Sequence, residues 1–170
     1  MGTPPFGPFA QQPAAAPAWV PYLNLVHGVR MDYPNTWMTQ EQATPFTFVA
    51  WFGSPQQGPQ DPFQENLTVT VQPVFAGTTL DGIVQTWQTM AMQARIQVAE
   101  SGPSTLAGQQ AFRALCQTPP QPPAGQPNRV LLFAFLLGNR ACTVAYTGQS
   151  SHFDQFLPTV QQMLATLQVH

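Results

Sequence analysis

Eight consecutive residues, Val130-Leu-Leu-Phe-Ala-Phe-Leu-Leu137, are apolar without interruption. A half-exposed strand would alternate, so the run predicts a strand buried on both faces at the centre of a sheet. It is too short to cross a bilayer. Gly138-Asn139 follows at once and reads as a two-residue hairpin turn. That turn pairs Leu137 with Arg140, and therefore Phe135 with Cys142, in a returning strand from Ala141 to Thr147. A central strand of this kind needs cover on both sides, and the rest of the chain must supply it.

Upstream, Tyr22 to Tyr33 reads as one extended stretch, with Val29, Met31 and Tyr33 alternating until Pro34-Asn35. Pro45 to Phe52 reads as a strand, with Phe46, Phe48, Ala50 and Phe52 on one face and Val49 and Trp51 on the other. A polar linker, Ser54 to Gln64, precedes Leu67, Val69 and Val71, which alternate with Thr68, Thr70 and Gln72 as in a strand covered on one face. Pro73 marks its end at an edge or a bulge. Thr79 is placed to cap a helix with an apolar stripe of Leu80, Ile83, Val84, Trp87, Met90, Ala91 and Ala94. Ile96 and Val98 read as an extended exit before Ser101-Gly102-Pro103. Leu106 to Gly108 reads as a tight turn, and Gln109 to Thr118 as a strand. Ser151 with Asp154 has the spacing of a capping box for a last helix, whose apolar face is Phe153, Phe156, Leu157, Val160, Met163, Leu164 and Leu167. Pro158 would kink or split that helix. Strands, helix, strands, helix in this order predict an α+β domain with a mostly antiparallel sheet.

Only 12 of the 170 residues are charged, 7% against roughly 25% in an average domain. There is no lysine, and 23 glutamines and 17 threonines must make the polar surface instead. Five scattered arginines form no basic patch, which excludes nucleic acid and disfavours an anionic membrane surface. With no long apolar segment, direct membrane insertion is not expected either. Six prolines in the first 21 residues, with no basic residue before Arg30 and no early cysteine, match neither a secretory signal nor a lipid anchor. Residues 1–18 are expected to be a disordered Pro/Ala-rich tail and 19–170 the domain, with a cytoplasmic location favoured.

The side chains that carry chemistry are few. His27, His152 and His170 are scattered, no CxxC occurs, and neither a metal nor a cofactor is expected. If Thr118 pairs with Arg129, Cys116 stands opposite Leu131, two strands from Cys142 and four residues along, too far for a disulfide. Both cysteines therefore read as buried free thiols. A Cys142–His152 nucleophilic pair is disfavoured because a mid-strand thiol among apolar residues stays protonated. Asp61 and Glu65 could poise an acid and a base, but read first as solvated loop charges. Asp32 beside Tyr33-Pro34 suits an Asx-type turn. Asn66-Leu67-Thr68 matches a glycosylation sequon without other support. Trp37, Trp51 and Trp87 read as core anchors. The loop from Thr118 to Asn128 has PxxP spacings that suit a stiff connection better than a recognition motif. No catalytic residue is assigned.

Gly28-Val-Arg-Met-Asp-Tyr-Pro-Asn-Thr-Trp37 resembles the opening strand and turn of the PsbP-like and DcrB-like families. Asn66-Leu-Thr-Val69, Ser101 with Leu106-Ala-Gly-Gln-Gln-Ala111, Arg140 to Thr147 and Phe153 to Leu167 are similar to their later elements, in the same order. The resemblance covers about residues 20 to 169. It implies an α/β/α sandwich around a central antiparallel sheet. It also implies a non-enzymatic protein that binds a larger protein partner, as in extrinsic photosystem subunits, bacterial lipoproteins, a Ran-binding import factor and chaperones for type VI secretion effectors. The family supplies no catalytic residues to carry over. The leading expectation is an accessory or adaptor protein. A chaperone for apolar segments of a secreted effector comes next, then a small-ligand binder; the binding surface and oligomeric state are left open.

Overall fold

The computed structural model describes residues 17–58, 63–120 and 125–170. In chain order the elements are β1 (Trp19–Asn24), β2 (Val29–Pro34), β3 (Met38–Ala43), β4 (Phe48–Gly53), β5 (Asn66–Pro73), α1 (Leu80–Gln93), β6 (Gln97–Leu106), β7 (Gln109–Gln117), β8 (Asn128–Leu137), β9 (Arg140–Gln149), α2 (Phe153–Thr166) and β10 (Gln168–Val169). Seven strands make one antiparallel sheet in the order β3-β4-β5-β9-β8-β7-β6, and β1-β2-β10 make a smaller one. Helix α1 packs on β7 and β8, while α2 packs on β9 and β2. The result is an α/β/α sandwich, with the small sheet sharing a layer with α2.

The apolar run forms β8, flanked by β9 and β7 and buried from Leu131 through Phe135. Alternation sorts its side chains: Leu131, Phe133 and Phe135 enter the main core, and Leu132 lies in a smaller cluster under α1. The Gly138-Asn139 turn sets Leu137 opposite Arg140 and Phe135 opposite Cys142, as the two-residue loop requires. The main core is closed by α2, where Trp37 meets the Phe156 ring edge-on at 6.1 Å between centroids. Each fully buried side chain there, such as Phe52 or Phe135, contributes about 1.5–3 kcal/mol of transfer free energy.

Several local expectations are corrected. The stretch from Tyr22 to Tyr33 is a hairpin, since Asn24 Oδ1 accepts the His27 amide and Gly28 takes φ +68° to reverse the chain. The strand expected from Pro45 begins at Phe48; Phe46 is exposed in a turn where Thr44 Oγ1 accepts the Phe46 and Thr47 amides. Strand β3, wholly exposed, carries no hydrophobic alternation to announce it. The exit after α1 is a full edge strand, β6, that runs through Ser101-Gly102-Pro103 because an edge tolerates a missing donor. The Ala107-Gly108 turn holds, with φ of +51° and +73°.

The expected capping box is absent. His152, not Ser151, is the N-cap of α2, without a side-chain cap bond, and Asp154 pairs instead with Arg129 at 2.8 Å. Pro158 sits inside a helix that continues from Phe153 to Thr166. Asp32 makes no turn; it lies in β2, its amide donating to Thr166 Oγ1 at 2.9 Å. The β7–β8 register is one residue from the expected one: Gln117 faces Arg129 and Cys116 faces Val130. A one-residue slip reverses faces, so Cys116 lies on the α1 side and Cys142 on the α2 side. The expected tail falls almost wholly outside the described residues, as do Asp61 and part of the 118–128 loop.

Candidate functional site

Register assigns every side chain of the large sheet to one of its two faces. The strands carry five charged residues: Glu41, Glu100, Arg113, Arg129 and Arg140. Their cross-strand partners are Ala50, Leu115, Phe133, Gly148 and Leu137, all on the α2 side. The α1 side therefore holds no charged strand residue at all. From β3 to β9 it presents Met38, Gln40 and Gln42, then Val49 and Trp51, then Thr68, Thr70 and Gln72, then Thr143, Ala145 and Thr147.

Helix α1 covers only part of this face. Thr79 Oγ1 accepts the Gly82 amide at 3.2 Å and fixes the start, as its position predicted. The apolar stripe then meets Phe112, Ala114, Cys116 and Leu132, with Trp87 tilted on the Phe112 ring at 5.4 Å. Ala91 is the sole fully buried residue of α1, and Met90 is 62% exposed. Between the helix and the uncovered strands lies a cleft of about 390 Å³, lined by Ile83, Val84, Trp87, Phe112, Leu132, Gln72 and Thr143. Gln72 and Thr143 place part of its wall on β5 and β9, next to the strands that α1 leaves uncovered. Trp51 belongs to that half-covered surface, whereas Trp37 is a core anchor as expected.

On the other side, a buried polar contact was missed. Glu65 is completely buried rather than a solvated loop charge. Its Oε1 lies 3.6 Å from His152 Nδ1, and neither atom has a hydrogen-bond partner. Ser54 Oγ donates to Glu65 Oε2 at 3.5 Å, and Ser54 and Glu65 also share a backbone bond of 2.8 Å. Gly148 is required beside them, because a Cβ there would stand 3.0 Å from Glu65 Cγ and 3.1 Å from the Tyr146 hydroxyl oxygen. Tyr146 donates to the Phe153 carbonyl, and burial, aided by the Glu65 and Asp154 carboxylates, pushes its phenol well above the usual range. The Glu65 carboxylate, not the imidazole, is what faces the serine hydroxyl. The contact ties Ser54 and Glu65 to the start of α2. Period-two extension of Leu67, Val69 and Val71 back to position 65 was the signal that placed Glu65 inward.

The other candidates do not converge. His27 stacks on Phe48 at 4.1 Å, and the carbonyl of His170 accepts from Arg140. His152 meets Glu65, not Cys142. Burial pushes the Cys142 thiol up to about 11 and raises Cys116 as well; both are free and buried. Among the described residues no group of three or more His, Cys, Asp or Glu side chains could hold a metal ion. Nor is any described helix long and apolar enough to cross a membrane. The sequon Asn66 opens β5 between two strands, its side chain donating to the Gln64 carbonyl.

No family model matches the sequence, and no curated protein matches it either. Solved structures do. Cyanobacterial PsbP (CyanoP) from Synechocystis superposes with a TM-score of 0.60 at 13% identity, covering 96% of this chain and all of that one. The fold is PsbP-like. LpqN of Mycobacterium tuberculosis, described as involved in cell envelope biogenesis, gives 0.61 at 9% identity, covering 89% of this chain and 90% of its own. The Ran-binding protein Mog1p of Saccharomyces cerevisiae gives 0.55 at 8%, covering 91% and 96%. Across these the PsbP-like architecture is shared, while sequence identity is too low for residues to be transferred.

Proposed function

We propose that this protein is a non-enzymatic accessory or adaptor that docks on a larger protein through the α1 side of its sheet. One observation carries the reading: that side is free of charge on every strand and only partly covered by its helix. Strands stand about 4.8 Å apart and a helix is about 10 Å wide, so the uncovered strands leave room for another helix beside α1. A partner segment with an uncharged face suits it, since a charge docked here would lose water without gaining a counter-ion. Mog1p, a Ran-binding protein of the same fold, lends support at the level of fold.

The test is a photocrosslinking residue at Thr70, compared with one at Gln161, which is exposed on α2. The expected result is one stoichiometric partner from position 70 only, crosslinked through an uncharged segment and lost in Thr70→Lys. Equal capture from both positions, or capture indifferent to Thr70→Lys, sinks the reading. The apolar cleft beside α1, with Met90 and Met92 exposed at its helix, favours a chaperone of apolar segments as the second reading. In that case position 70 would crosslink to a secreted effector client and not to a resident complex.

A further inference from the structure

The large sheet has two edges, and they are built differently. Edge β6 slips register between Val98 and Glu100, carries Gly102-Pro103 at mid-strand, and sets Glu100 in an ion pair with Arg113 at 3.1 Å. Bulge, proline and charge are the devices that stop an edge from pairing with another chain. Edge β3 has no bulge and no proline. It pairs with β4 in unbroken register from Met38–Gly53 to Ala43–Phe48, and all six of its residues are exposed. Its one charge, Glu41, points to the α2 side, where the Tyr22 hydroxyl donates to Oε1 at 2.5 Å and Asn24 Nδ2 donates to Oε2 at 3.2 Å. Among the described residues nothing pairs with the outer row of β3 backbone groups, which is thus regular and undefended.

We propose that β3 pairs with β3 of a second copy, antiparallel about a two-fold axis normal to the sheet, fusing the two sheets into one. Symmetry, strand length and charge together select the register, since only centres at Gln40 and Glu41 pair five of the six residues. Such an axis keeps each face on its own side, so directly opposed residues must share a face and the axis must pass through a residue. Centred on Glu41, the pairing would oppose two carboxylates. Centred on Gln40, it sets Gln40 against Gln40, Thr39 against Glu41 and Met38 against Gln42, with no like charges opposed. The two uncharged half-faces then join into one continuous surface with both α1 helices on the same side. A second copy is favoured over a foreign strand because this short sequence is complementary to itself in that register.

Sedimentation of the pure chain from micromolar to near-millimolar concentration tests this without any partner, so it stands apart from the docking reading. A concentration-dependent dimer is expected. Gln40→Glu places like charges face to face and should raise the dimer dissociation constant several-fold, with recovery in high salt. Thr105→Glu on the β6 edge should change nothing. Mixing Gln40→Glu with Gln40→Lys should restore a dimer containing one of each, because residue 40 meets its own copy. Unchanged thermal melting of each single variant shows that the fold is intact, since Gln40 is exposed. A monomer at every concentration overturns the proposal, as does a dimer equally indifferent to Gln40→Glu and Thr105→Glu.

Discussion

The two faces of the seven-stranded sheet are made by the same strands and share nothing else. On the α2 side β4, β5 and β9 bury Phe52, Leu67, Val69, Val144 and Tyr146 completely, and every strand charge stands at the margin of that core. On the α1 side the alternate residues, Val49, Trp51, Thr68, Thr70 and Thr143, are only half-buried and wholly uncharged. Conventional surfaces carry the charge; here the strand charges lie on the core face of the sheet and the strands of the open face have none. Stability is thereby concentrated on one face, which leaves the other free to be shaped for association.

The largest effect that can break this contrast is on the core face. Phe52→Ala should cost about 3–5 kcal/mol in chemical denaturation, whereas its neighbour Trp51→Ala should cost about 1 kcal/mol; comparable losses would show that the faces are energetically alike. Next comes the buried carboxylate. His152→Ala leaves Glu65 without its neighbour and should cost about 1–3 kcal/mol, and adding Glu65→Gln should recover most of it, because no carboxylate then faces the gap. Additive losses in the double variant would show that the two residues act independently. Thr70→Lys on the open face should move stability by less than about 0.5 kcal/mol while abolishing docking. A further effect concerns the thiols and appears only at high pH. Cys142 holds its proton up to about 11, against roughly 8.5 when unfolded, so the fold should lose stability as pH rises from about 8.5 toward 11. Thiol titration of the native protein at neutral pH should leave both cysteines unreacted.

Much of the sandwich was legible because its strongest signals are local. The unbroken run of β8, the two-residue turn behind it and the alternation of β5 each admit one structure, and all three stand. The order of elements, with a resemblance spread over the chain, then implied the PsbP-like layers that the structural neighbours show. What escaped was set by tertiary context. Met38 to Ala43 has no apolar period, and becomes a strand because β4 offers it an edge. The β7–β8 slip depends on where Thr118 meets Asn128, through a 2.8 Å backbone bond that no propensity encodes. Glu65 looked like loop because it is charged, although its position continues an inward period. The uncharged face needed the register of every strand before it could be seen, and no motif stands for it.

The junction between β5 and β9 has a consequence for how the chain is made. Within the large sheet it is the single seam joining β3-β4-β5 to β6–β9, from Asn66–Thr147 to Pro73–Arg140, while the other neighbours are joined by hairpins or short links. Closing it requires the whole intervening chain, so it is the pairing with the largest loop-closure cost in the large sheet. A nascent chain extends β3 to β5 before β9 has been synthesised, and β5 waits with one side unpaired. Once closed, the seam makes the first three strands a single cooperative unit. Amides of β5 and β9 that bond across the seam are then expected to exchange with solvent together, at a rate that reports the opening of this one line of pairs.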